Sequence, residues 1–223
     1  SRVFDWPEQP GRLCPAGRHG NLFPEGQLPT LKGKPMSLKP VPLDKAYRLL
    51  NHGPTVILSA AHNGRENAMS ASWVGLFDFA PAKITAVIDH SAYTRRLIEE
   101  SGYFGVQVPF AAQAEQVIAL GSTSGRDNPH KLANCGVQTF RLDGHTTPLI
   151  KDCAAYLICR LLPEPHNQQT YDLFIGEVAA VWADDRVYAD GRWLFDSVPD
   201  ELKTLHYVGN GLFYRTGKGL KVG

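Results

Sequence analysis

Apolar positions along this chain mostly alternate with a period of two. Thr55-Val56-Ile57-Leu58-Ser59-Ala60-Ala61 reads as a strand, and His62-Asn63-Gly64-Arg65-Glu66 after it carries the Asn-Gly signal of a hairpin turn. The return strand is expected from about Asn67 to Phe79, and a third strand over Lys83–Asp89. Further strands are predicted at 103–108, 136–142, 154–162, 171–183 and 186–189, where the alternation of Val178, Ala180 and Trp182 suits a barrel wall. Helical spacing is confined to three places. Leu43, Ala46, Tyr47 and Leu50 mark a short helix over 43–52 that Gly53-Pro54 stops. Ser91–Ser101 is a helix closed by Gly102, and Ala111–Leu120 is a third.

Strands outnumber helices, and most are joined by short turns. A doubly wound sheet needs a helix after nearly every strand, and those helices are missing. The pattern predicts a mainly β fold with peripheral helices: a closed or half-closed barrel carrying two or three helices outside. Residues 1–40 differ. Gly and Pro recur there without apolar periodicity, so an extended N-terminal arm is expected before a domain over 41–223. Met36 would serve as a start in its own right. Phe4, Trp6, Leu13, Leu22, Phe23, Leu28 and Leu31 give the arm sticky points for packing on the body or on a partner subunit.

Charge adds an exclusion. Lys+Arg number 23 against 22 Asp+Glu, so there is no field to steer the chain onto nucleic acid or an anionic membrane. No apolar run approaches a membrane span, and the first residues lack the apolar core of a signal peptide, so a cytoplasmic location is expected. Cys14, Cys135, Cys153 and Cys159 form no C-x-x-C pair and no zinc-spaced set. They read as small buried hydrophobes, and no metal site is expected. Familiar motifs fail. Gly209-x-Gly211 lacks the third glycine and following helix of a dinucleotide fingerprint, and Thr216-Gly217-Lys218-Gly219 lacks Walker spacing. Thr123 stands where a nucleophile elbow needs serine. Any nicotinamide would therefore bind transiently.

Three segments have chemical character. Asn67-Ala68-Met69-Ser70-Ala71-Ser72-Trp73 interrupts an apolar strand with small polar residues, which admit a flat heterocycle to the backbone; an amphipathic strand with a polar outer side would look the same. Asp89 through Arg95 places Ser91 and Thr94 at a helix start, where unpaired N–H groups favour an anion and Arg95 adds charge; a plain N-cap is the alternative. Gly121–Asp127 followed by Lys131 sets glycines and hydroxyls beside Arg126, a phosphate-binding composition that a solvated loop can share.

In order along the chain, Gly53-Pro54-Thr55-Val56, Asn67–Trp73, Ser91–Ile98, Ser124-Gly125-Arg126-Asp127 and Cys159-Arg160 resemble the flavin reductase-like, FMN-binding split-barrel family, in its flavoredoxin-type branch. The resemblance runs from about Pro42 to the C-terminus. It implies a six-stranded split barrel, a homodimer, and FMN near the dimer interface, with Phe77, Phe79 and Trp182 as contact candidates. It further implies that Asn67, Ala68, Met69, Ser70, Ala71, Ser72 and Trp73 line the isoalloxazine edge. Asp89, Ser91 and Thr94 would flank the phosphate, and Ser124, Gly125, Arg126 and Lys131 would close over it, with Arg95 the runner-up to Arg126 as the phosphate's cation. Two departures stand out: Asn128-Pro129-His130 separates the Gly-Arg-Asp from Lys131, and Leu205–Gly209 matches the family's end segment loosely. His206 is the candidate for a flavin-side histidine, with a structural histidine as the alternative. The implied activity is NAD(P)H-dependent flavin reduction or flavoredoxin-like electron transfer to an unknown acceptor, with the chemistry carried by the flavin and no protein acid or base. The alternative is an FMN-binding carrier or sensor without pyridine-nucleotide activity.

Overall fold

The computed structural model describes residues 40–50 and 53–222. The arm expected over 1–40, its sticky residues and Cys14 lie outside the described residues, apart from Pro40.

A 3-10 turn at Leu43–Lys45 and a helix α1 (Tyr47–Leu50) precede the sheet. Strands β1 (Val56–His62), β2 (Arg65–Ala71), β3 (Val74–Phe79), β4 (Ala82–Val87) and β5 (Tyr103–Val108) follow, with helix α2 (Tyr93–Ser101) before β5. Next come α3 (Ala114–Ser122), α4 (Lys131–Asn134), β6 (Thr139–Phe140) and β7 (Leu149–Ile150). The chain continues through β8 (Ala155–Leu162), α5 (Pro165–Tyr171), β9 (Leu173–Ala183), a small hairpin β10 (Tyr188–Ala189) with β11 (Arg192–Trp193), and a terminal hairpin β12 (Leu205–Gly209) with β13 (Leu212–Arg215).

The main sheet has seven strands in the order β2-β1-β5-β8-β9-β4-β3. The expected six strands become seven because the single strand read over Asn67–Phe79 is two. It breaks at Ser72-Trp73, and its halves occupy opposite edges of the sheet. The three steps from Ala71 to Val74 span at most about 11 Å, so this link draws the two edges together and curls the sheet into a barrel. Antiparallel pairing runs throughout, for example Val56↔Ala71 to His62↔Arg65 between β1 and β2.

The barrel interior is filled by alternate residues of its strands: Val56, Leu58, Ala60, Ile84, Ala86, Phe104, Val106, Cys159 and Phe174, closed by Leu97 and Ile98 of α2. A second core lies between Ile57 and Ala68 on the outer face of β1–β2 and Val117, Leu120 and Cys135 near α3 and α4. α2 lacks a side-chain cap, its N-cap position being Ala92, and it ends at Gly102 with φ 71°. Among the described residues, no helix is long and apolar enough to cross a membrane.

Candidate functional site

β2 is an edge strand, so half of its peptide groups have no ladder partner. Lys131 shows which half. Its Nζ donates to the Ala68 carbonyl at 2.7 Å, so that carbonyl points away from β1. Backbone direction repeats every second residue, so the Ser70 peptide groups face the same way. Beside this edge lies a cleft of about 290 Å³. Asn67, Met69 and Ser70 form its floor, Asp89, Ser91 and Thr94 one wall, and Ser124, Gly125 and Lys131 another. The three stretches expected to bind together are thus brought together. Two further spaces adjoin it. A recess of about 230 Å³ holds Ala71, Ser72, Tyr207 and Phe213 and shares Ser70, Gly121 and Ser122 with the cleft. An outer cavity of about 520 Å³ holds Arg126 and shares Tyr93, Gly125 and Lys131 with it.

The floor is built tightly. Asn67 is buried, its Nδ2 donates to Thr94 Oγ1 at 2.8 Å, and its Oδ1 has no partner. A Cβ at Gly125 would stand 2.7 Å from Asn67 Cγ, and one at Gly121 would collide with Ser70 Oγ. Glycine at these two positions lets the loop close onto β2. Asp89 Oδ1 accepts from both the backbone N–H (2.8 Å) and the hydroxyl (2.6 Å) of Ser91, which hold its carboxyl below the usual range. Arg126 Nη2 donates to the Ser91 carbonyl at 3.0 Å, tying the loop to the start of α2. Burial pushes the Lys131 ammonium down from its ordinary value. Asp127 lines the outer cavity and makes no ion pair with Lys131.

Four expectations are corrected in part or whole. Arg95 is spent on structure: Nε donates to Glu99 at 3.0 Å, Nη1 to Asp172 and to the Ile88 carbonyl, and Nη2 to the Gln168 carbonyl at 2.7 Å. Its guanidinium also lies 5.0 Å from the Phe174 ring centre, away from the cleft. Trp73 is half exposed and meets Tyr47 edge-on rather than lining the cleft. Ala68 turns its side chain into the second core and offers only its carbonyl. His206 meets Thr216 at 3.4 Å, and its neighbour Tyr207 faces the recess instead, as the two-residue period of β12 requires. Asp89, His90 and Asp172 approach one another, but both carboxylates are already engaged by Ser91 and Arg95.

Sequence reasoning missed Arg65, Tyr207 and Phe213, and it gave no role to Tyr93 and Gly121 within the segments it singled out; all five line these spaces. A signal for the hairpin carrying Tyr207 and Phe213 was present in Asn210-Gly211, whose φ values are 53° and 76°.

The family model described as "Flavin reductase like domain" matches residues 47–208. The chain belongs to that family. Within the family comparison, an uncharacterized protein of Escherichia coli K12, YddH, is 42% identical over 188 residues, 82% of this chain and 97% of that protein. A solved FMN-binding domain of a flavin reductases-like enzyme from Shewanella baltica OS155 is 49% identical, with a TM-score of 0.75 over 81% of this chain and 95% of its own. Flavoredoxin of Desulfovibrio vulgaris (Miyazaki F) shares the fold at 22% identity, with a TM-score of 0.63 over 76% of this chain and 89% of its own. Split-barrel architecture is thereby common to this member and its structural neighbours.

Proposed function

We propose that the cleft holds FMN and that the protein passes electrons from NAD(P)H through it to an acceptor. The observation that carries this reading is the meeting, in one cleft, of the open edge of β2 with Ser91 and Thr94 at the start of α2 and with the Ser124-Gly125 loop and Lys131. A ribityl chain with its hydroxyls suits the polar floor formed by Asn67 and Ser70. The remaining groups fit the same ligand. The outward peptide groups of β2 suit the hydrogen-bonding edge of a flat ring, and Ser91, Thr94, Ser124, Arg126 and Lys131 suit a phosphate. When bound, FMN supplies the redox chemistry, accepting a hydride from a reduced nicotinamide and releasing electrons to an acceptor. The chain's part is to bind, orient and leave one face of the ring accessible; no side chain in the cleft is assigned a proton transfer.

The reading extends to a homodimer. Leu76, Phe77 and Phe79 of edge strand β3 are exposed, as is Trp182 of β9, and large apolar groups at a sheet edge suit a protein partner. The experiment is an FMN titration followed by anaerobic addition of NADH or NADPH. Bound flavin should bleach with one of them. Failure to bind FMN removes the whole reading. Binding without bleaching by either nucleotide leaves a carrier that takes electrons from another protein.

A further inference from the structure

Cations withdrawn from water in this protein mostly carry an acid. Arg95 meets Glu99 and Asp172, and the half-buried Lys83 and Lys203 each hold an aspartate, at 2.7 and 2.8 Å. Lys131 is buried more deeply, at 3% exposure, yet among the described residues it meets no carboxylate. Its Nζ donates to the neutral Ala68 carbonyl. An ammonium has three protons to donate, so one carbonyl leaves it short of both hydrogen bonds and opposing charge. A neutral amine keeps that bond with no charge to desolvate.

The groups facing Lys131 do not make up the difference. Arg65 of β2 and Arg126 of the loop before α4 line the outer cavity beside it and carry the same sign of charge. Asp127 there is exposed to water, which screens it, and Glu66 is held by Arg141 and Thr139. On its own helix, His130 is exposed and Cys135, one turn on, is a buried thiol. Across the cleft, Asp89 is exposed and engaged by Ser91, and the Tyr93 hydroxyl is turned to Arg65. Burial accordingly pushes the ammonium down, against an opposite pull from Cys135.

A phosphate supplies what Lys131 lacks: a charge of about −1.5 to −2 near neutral pH and three acceptor oxygens. Lys131 lines both the cleft and the outer cavity, between Ser124 of the one and Arg126 of the other. We propose that Lys131 takes up a proton from solvent when the phosphate of FMN enters, so that the site holds phosphorylated flavin less well as the solution turns alkaline; this rests on the reading of the cleft as an FMN site. The proton stays on Nζ and takes no part in the redox step. A group whose charged form is favoured more in the complex than in the free protein binds protons as the complex forms. Affinity then falls as pH rises through the range between its two values. The phosphate's own second ionisation, near pH 6, lies well below that range.

The test titrates FMN and riboflavin into the full chain and its Lys131→Met variant from about pH 8 to about pH 9.5, below the ordinary lysine value of about 10.4. Calorimetry in buffers of different ionisation enthalpy counts the protons taken up. Wild type should lose about threefold or more in FMN affinity relative to riboflavin across this range, one proton setting a limit of about tenfold per pH unit. It should also show net proton uptake with FMN and not with riboflavin. The Met variant should bind FMN more weakly, with riboflavin's pH dependence and no uptake. Where the Met variant holds no FMN, Lys131→Arg decides, because its charge does not titrate here: FMN should bind it without uptake. A wild-type FMN affinity that follows riboflavin's, with no protons taken up, overturns the proposal and leaves the FMN reading standing. Uptake that persists in either variant overturns it as well, since the proton then goes to another group. If wild type binds no FMN, the reading of the cleft fails first and the proposal with it.

Discussion

β2 and β3 sit at opposite edges of one sheet, yet consecutive stretches of chain give them opposite characters. Along β2, small polar residues and a buried lysine leave room beside the unpaired peptide groups. Along β3, Leu76, Phe77 and Phe79 stand 91%, 59% and 74% exposed. Every open edge invites pairing and has to be covered. β2 has the surroundings of an edge covered by a small planar molecule, with glycines admitting the loop that closes over it. β3 has those of an edge covered by another protein surface. Edge position alone therefore predicts little; the side chains beside it decide what kind of partner fits.

The largest expected effect breaks the β3 half of this contrast. Replacing both Phe77 and Phe79 by Asp removes two apolar anchors, each worth about 1.5–3 kcal/mol when buried, so a dimer should weaken by more than about a hundredfold. Sedimentation at micromolar concentration reads this out; a wild-type protein that is monomeric with flavin bound would remove the β3 assignment. Next is Arg95→Met, which leaves Asp172 and two carbonyls without their donor. Breaking a buried pair costs about 3–5 kcal/mol, and partial exposure of Asp172 reduces that to about 2–3 kcal/mol of stability. Thermal unfolding should show it, whereas a normal melt with weakened FMN binding would return Arg95 to the cleft.

Two smaller changes sharpen the β2 half. Arg126→Ala should weaken FMN roughly ten- to a hundredfold and leave riboflavin, which has no phosphate, nearly unaffected. Equal losses for both ligands would make Arg126 a support of the loop. Gly125→Ala drives a methyl against the Asn67 amide, which Thr94 holds in place. The loop must then lift, and FMN affinity should fall about tenfold, the lower part of what overpacking costs. An unchanged affinity would show that Asn67 yields and that the loop keeps its place.

Sequence alone made β1, α2 and β5 legible because one rhythm dominates each of them. The division of Asn67–Phe79 was not legible: both halves are extended, and Ser72-Trp73 contains neither glycine nor proline to mark a break. The strand expected over 136–142 shrinks to Thr139–Phe140, since Val137, like Cys135 just before the expected start, serves the second core instead. α5 was overlooked because Pro-His-Asn-Gln-Gln-Thr-Tyr has no apolar face; only Pro165 at its first turn announces it. In the site, residue types identified Asn67, Ser91 and Arg126 as polar groups worth watching. They could not tell Arg95 from Arg126, because that difference depends on Asp172 and Gln168, more than seventy residues away in sequence.

The short Ser72-Trp73 link has a mechanical meaning. With so little slack, β3 cannot move far without pulling on the end of β2, where Ala71 and Ser72 line the recess next to the cleft. Strain applied at one rim of the barrel is therefore felt at the other, and a neighbour gripping β3 would stiffen the strand that receives the small molecule. Lengthening the link with two glycines would cut that tether while leaving both strands intact.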